Sequence, residues 1–216
     1  MVEAKDIIQI PIEDASVEKA NKYAMQSLHF TYNRMHLKNP SQRFRNIAFG
    51  KIMECTFEQL LKEKHISYDT FGETHYTQID KYDIGINKHR CDIKGFFLRS
   101  NKALRELNKS TSWLLDCCAL VPTDQLSSEK LKLDDFYIFA FMTANVRDIK
   151  QENILQSIII QNGNVYFCGY ITKNEFYSSS TKIPSGFTLC KQYSSTKTDN
   201  NMMKVHSLHP MKDLLS

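Results

Sequence analysis

Asp83-Ile-Gly-Ile-Asn-Lys-His-Arg-Cys-Asp-Ile-Lys94 reads as two strands folded back on a tight turn. Residues rich in β-branched and aromatic side chains run from Thr74 to Ile86 and from His89 to Leu98, and Asn87-Lys88 between them supplies a two-residue connection. With that turn, Ile86 faces His89, Gly85 faces Arg90, Ile84 faces Cys91 and Asp83 faces Asp92. Directly opposed residues of an antiparallel pair hold their Cβ atoms ~4.5 to 5.5 Å apart on one face. Lys94, two residues beyond Asp92, shares that face, while Ile84, Ile86, Cys91 and Ile93 point the other way into a core.

An acid, any residue, then lysine arises about twice by chance in a chain of this composition. Three occur: Glu3-Ala-Lys5, Asp92-Ile-Lys94 and Asp148-Ile-Lys150. Only the middle one lies on a strand with another acid on the adjoining strand. Two carboxylates so close repel unless a proton or cation sits between them. Mg²⁺, with Mn²⁺ as a substitute, fits such a pair, because this hard ion takes oxygen ligands and commonly only one or two carboxylates. It would polarise a phosphate and activate a water, and Lys94 would stabilise the charge that develops. Asp80, upstream of Asp83, is an alternative ligand. The blander account is a surface hairpin with ion pairs worth ~0 to 1 kcal/mol.

Working outward, residues 13 to 36 carry Ala20, Tyr23, Ala24, Leu28 and Tyr32 at helical spacing, with Asp14 or Ser16 as cap. A polar break at Pro40 precedes a second helix from Arg43 to Lys64, which carries Glu54. Thr111 to Val121 is apolar but fits neither period. Phe136 to Met142 reads as a buried central strand. Ile154 to Ile160 and Val165 to Thr172 read as a strand pair turning at Asn162-Gly163-Asn164. The Ser, Thr, Lys and Asn-rich stretch from Ser178 to Asn201 reads as a mobile loop or arm. Together these elements predict an α/β fold with a mixed sheet flanked by helices.

The arrangement resembles the PD-(D/E)xK nuclease superfamily, which includes many type II restriction endonucleases. Asp83, eight intervening residues and Asp92-Ile-Lys94 carry the likeness. Gly50-Lys-Ile-Met-Glu54 is similar to the family's helical glutamate, Asp135-Phe-Tyr-Ile-Phe139 to its next core strand and Gly169-Tyr-Ile-Thr-Lys173 to a late strand. Tyr82 stands where the family name has proline. The resemblance covers residues 44 to 173, leaving 1–43 as an N-terminal helical region and 174–216 as a polar extension of one nuclease domain. It implies a restriction-endonuclease-like core and Mg²⁺-dependent cleavage of double-stranded DNA by a homodimer. Asp83, Asp92 and Glu54 would hold metal, and Lys94 would act in catalysis. A structure-specific, repair or RNA nuclease of the same fold, or a binding module that has lost cutting, are the alternatives.

Arg43, Arg45 and Lys51 on the second helix, and Lys173 further on, are candidate phosphate contacts. Lys182, Lys191 and Lys197 could clamp a duplex, although a solvated loop explains them as well. His75, His89 and Gln125 receive no role from spacing. The 216 residues are 42% hydrophobic, enough for one full core. Six cysteines without paired metal-ligand spacing read as reduced thiols in a cytoplasmic protein. No apolar run approaches a membrane span. A net charge of +4 permits a polyanionic partner without requiring one.

Overall fold

A computed structural model describes residues 1–30, 39–75, 77–78, 81–127, 135–151 and 154–216. Its helices are α1 (Asp14–Ser27), α2 (Pro40–Glu63), α3 (Asn101–Lys109), α4 (Thr123–Ser127), α5 (Lys173–Ser179) and α6 (Met211–Leu214). Its strands are β1 (Ile8–Pro11), β2 (Tyr68–Asp69), β3 (Ile84–Ile86), β4 (His89–Phe97), β5 (Cys118–Pro122), β6 (Phe136–Gln151), β7 (Ile154–Thr172), β8 (Thr181–Ile183), β9 (Thr188–Leu189), β10 (Ser194–Ser195) and β11 (Asn200–Lys204). The fold is mixed α/β.

The main sheet runs β1-β7-β6-β4-β3-β2, antiparallel throughout except that β4 and β6 are parallel. Parallel neighbours need a long crossover rather than a hairpin. Here that crossover carries α3, a 3-10 segment (Thr111–Asp116), β5 and α4. β5 then joins β11 and β8 in a second sheet, and β9 pairs with β10 beside it.

Period-two alternation along β6 splits the interior. Ile138, Ala140 and Met142 pack with α1 and α2 residues such as Phe57 and Leu61 on one face. Tyr137, Phe139 and Phe141 pack with Leu107, Leu114 and Phe176 on the other. The central strand expected at Phe136 to Met142 is therefore filled from both sides, as its unbroken apolar run requires.

Several sequence expectations change. Pro40 does not break the chain but opens α2 at its first turn, where a missing N–H costs nothing. Asn39 caps that turn, its Oδ1 accepting from the Ser41 amide at 2.9 Å. The N-terminal region is not wholly helical, because β1 pairs with β7; α1 ends at Ser27, and residues 31–36 of the expected helix lie outside the described residues. Of the strand expected from Thr74 to Ile86, only β3 is strand among the described residues, and the Lys81 amide folds back to Gly72 O at 2.9 Å.

The Asn162-Gly163 signal is a bulge within one long β7, not a turn. Between the pairs Thr143↔Asn164 and Asn145↔Gln161, β7 uses one residue more than β6. Asn162 takes φ 51, and a Cβ on Gly163 would lie 2.6 Å from the Ile160 side chain. Thr111 to Val121 resolves into the 3-10 segment followed by β5. The polar C-terminal stretch is also ordered secondary structure rather than a loose arm, contributing β8 to β11.

Candidate active site

Asn87 and Lys88 both adopt left-handed backbone, φ 50 and 68, which gives the turn the twist that a two-residue hairpin favours. The ladder runs as expected through Ile86↔His89, Gly85↔Arg90 and Ile84↔Cys91. It does not continue to an Asp83–Asp92 pair. The Asp83 amide donates to Cys91 O at 3.0 Å, and its Oδ2 accepts the Ile93 amide at 2.7 Å. Asp83 is thereby turned along the edge of β4, with its carboxylate at the residue between Asp92 and Lys94.

Asp92 and Lys94 sit opposite Tyr137 and Phe139 of β6. The Lys94 ammonium lies against Asp92 Oδ2, and the two side chains are only 10% and 3% exposed. Lys94 also donates to Gln125 Oε1 of α4 at 2.7 Å and stands 5.4 Å from the centre of the Tyr137 ring. A solvated hairpin with loose surface pairs does not describe this arrangement, because burial raises the consequence of breaking either partner.

Two further contacts hold the hairpin. Asp135 accepts the Arg90 backbone amide at 2.9 Å and grips its guanidinium through Nε and a terminal nitrogen at 3.0 and 2.7 Å. Arg90 in turn keeps the Asp135 carboxyl below the usual carboxylate range. Tyr82, in place of proline, donates to Asp69 Oδ1 at 2.9 Å and ties β2 to the hairpin.

Glu54 is carried by α2. α2 packs on the face of β4 that carries Cys91 and Ile93, approaching so closely that a Cβ on Gly95 would lie 2.0 Å from Met53 Cε. Asp92 and Lys94 alternate to the opposite face. Glu54 accepts from Lys51 Nζ at 2.8 Å, and Lys51 also bonds Glu73. Burial works against the Lys51 charge, yet Glu54 and Glu73 outweigh it and hold the ammonium above its ordinary range. The expected fourth member of the site is thus engaged in an ion cluster with Lys51 and Glu73. Asp80 lies outside the described residues.

The basic residues divide in the same way. Lys51 is buried between its two glutamates rather than presented to a phosphate. Arg45 is paired with Asp148, which gives the third acid-x-lysine tripeptide a structural explanation. The amide of Lys173 opens α5 by donating to Asp135 O at 3.0 Å. Arg43 donates to Leu28 O at 2.8 Å and faces a cleft. Of the histidines, His89 packs edge-on against Phe136 and His75 bonds Thr77.

That cleft, of about 600 Å³, opens beside Lys94. Beyond Cys91 no described strand pairs with the β3 side of β4, and α2 and the β9–β10 segment stand as its walls. Its lining includes Lys94, Gln125, Arg43, Arg99 and Lys197 and, among the described residues, no carboxylate. Gln125 and Arg99 were unreadable in the sequence: each is a lone polar residue outside any motif, brought to the site by the crossover.

Asp83 and Asp92 supply hard oxygen donors of the kind Mg²⁺ accepts together with water and a substrate phosphate. Among the described residues no three His, Cys, Asp or Glu side chains converge as a metal-binding group, so from these residues a cation here would draw on the carboxylates of Asp83 and Asp92. No helix among them is long and apolar enough to cross a membrane. No known family, no curated protein and no solved structure matches the chain.

Proposed function

We propose that this chain is a metal-dependent phosphodiester hydrolase acting on nucleic acid, with Asp83, Asp92 and Lys94 as its working residues. The observation that carries the reading is the gathering of these three groups within one short edge of β4. The Asp83 carboxylate lies on the Ile93 amide, and the Lys94 ammonium lies on Asp92 next to a cleft lined by Arg43, Arg99 and Lys197.

Asp83 and Asp92 would hold Mg²⁺, or Mn²⁺ in its place, through carboxylate oxygens. When bound, the ion supplies charge neutralisation at the scissile phosphate and lowers the pKa of a coordinated water. Lys94 is aimed by three contacts, to Asp92, Gln125 and the Tyr137 ring. A fixed cation of that kind stabilises charge developing on phosphate oxygens more than a mobile one, since no reorganisation is needed. The Tyr137 wall and the burial of Asp92 keep bulk water away and strengthen those interactions.

The restriction-endonuclease-like core, a homodimer acting on double-stranded DNA and a cytoplasmic setting belong to the same proposal. They follow from the resemblance of the hairpin, and the six free thiols suit a reducing compartment. Supercoiled plasmid, single-stranded DNA and RNA incubated with Mg²⁺ or with EDTA test it. Cleavage only with Mg²⁺, abolished in Asp92→Asn and Lys94→Ala variants of unchanged circular dichroism, is the expected result. No cleavage of any substrate, or equal cleavage by the folded variants, would overturn it.

A further inference from the structure

The cleft beside Lys94 is lined by both cationic and aromatic side chains. Arg99 and Lys197 line it, and neither has a carboxylate partner among the described residues. Arg99 stands over the Phe97 ring, 5.5 Å from its centre, and donates to Asn46 Oδ1 at 3.4 Å. Burial and then the like charge of Arg45 push the Arg99 guanidinium below its ordinary range, a setting that an anion would relieve. Phe96, Phe97 and Tyr193 also line the cleft, the two phenylalanines from opposite faces of β4.

Size narrows the ligand. At about 600 Å³ the cleft has the volume of a small-ligand site, roughly 300 to 1,000 Å³. A mononucleotide or dinucleotide fits such a space, whereas one turn of duplex is ~34 Å long. The wall opposite α2 is preformed, because buried Gln192 clamps the β9–β10 segment to β5. Its Oε1 accepts the Cys118 amide at 3.0 Å, and its Nε2 donates to Cys118 O at 3.2 Å.

We propose that this cleft receives an unpaired single strand of nucleic acid, its phosphates on Arg99 and Lys197 and its bases against the aromatic side chains that line it. Grooves that pair cations with aromatic platforms hold single strands in this way, without needing a particular base order. The assignment rests on the nucleic-acid reading above and deepens it: the strand leading to Asp92 and Lys94 would be frayed, flapped or single-stranded rather than fully paired.

Fluorescence anisotropy in EDTA with labelled hexathymidylate tests it, with a blunt duplex of equal length and thymidine monophosphate as competitors. The expected result is binding that the duplex and the mononucleotide compete for only weakly. Arg99→Ala and Lys197→Ala should each reduce the slope of log affinity against log salt by about 0.7, and by about 1.4 together. Duplex or mononucleotide competing as well as the oligonucleotide, or a folded double variant binding as the parent does, would overturn the cleft assignment. The two readings fail separately. Mg²⁺-dependent cleavage lost in Asp92→Asn but equal on duplex and single strand removes only the single-strand inference. Salt-sensitive strand binding lost in the Arg99 and Lys197 variants, without cleavage, supports the cleft and removes the hydrolase.

Discussion

Replacing Lys51 with methionine removes the cation of the α2 ion cluster while keeping most of the side-chain volume. The Lys51 side chain is 5% exposed, and its partners Glu54 and Glu73 are 23% and 34% exposed. Removing one member of a fully buried pair costs about 3 to 5 kcal/mol, because the remaining charge stays desolvated. Here both glutamates can regain water, so the expected loss is about 2 to 3 kcal/mol. In a chain of this size that lowers Tm by roughly 4 to 12 °C. Lys51 is held above its ordinary value despite burial, because Glu54 and Glu73 favour the charged form. Its contribution is therefore complete at neutral pH and is lost only as pH climbs through the raised folded value, in strong alkali. The variant's deficit should shrink in acid, where the stranded carboxylates take up protons. Urea denaturation followed by circular dichroism across pH measures both effects. Adding Glu54→Gln and Glu73→Gln to Lys51→Met should restore most of the loss. A deficit below about 0.5 kcal/mol, or one that the two glutamine substitutions deepen, would refute the ion-cluster argument.

Asp135→Asn should cost about 1 kcal/mol at pH 7, since the Arg90 fork it breaks is 40% exposed on one side and 34% on the other. Arg90 depresses the Asp135 carboxyl, so this stabilisation is present above the ordinary carboxylate value of about 3.9 and disappears as pH falls through the lower folded value; comparing the urea midpoints of parent and variant at several pH values checks it. Thiol labelling of the native protein with a disulfide reagent at pH 8 should modify Cys190 quickly and the five buried cysteines only on unfolding. Burial pushes the Cys55 thiol up to about 11 and Cys117 up to about 12, and mass spectrometry of the labelled peptides reads which cysteine reacted.

The β3–β4 hairpin was legible because three local signals agree: alternation, a short connection and β-branched flanks. What local pattern could not supply was the exit of Asp83 from the ladder, which depends on its side chain finding the Ile93 amide. Gly163 misled for a related reason, since an Asn-Gly pair suits a bulge as well as a turn. The C-terminal strands were hidden because they are two to five residues long and built from Ser, Thr, Lys and Asn. β11 is held by pairing with β5, a contact of high sequence separation, and β8 by pairing with β11. The same distance concealed Gln125 and Arg99, and the spacing that singled out Glu54 did not show its ion pair with Lys51 on the preceding turn.

The account depends on Asp83 and Asp92 acting together as ligands for one divalent cation. Electron paramagnetic resonance of Mn²⁺ titrated into the metal-free protein measures that directly, without a substrate. One bound ion is expected, with affinity falling at least tenfold, about 1.4 kcal/mol, in either Asp83→Asn or Asp92→Asn. A folded Asp83→Asn, Asp92→Asn double variant that binds Mn²⁺ as tightly as the parent would contradict it.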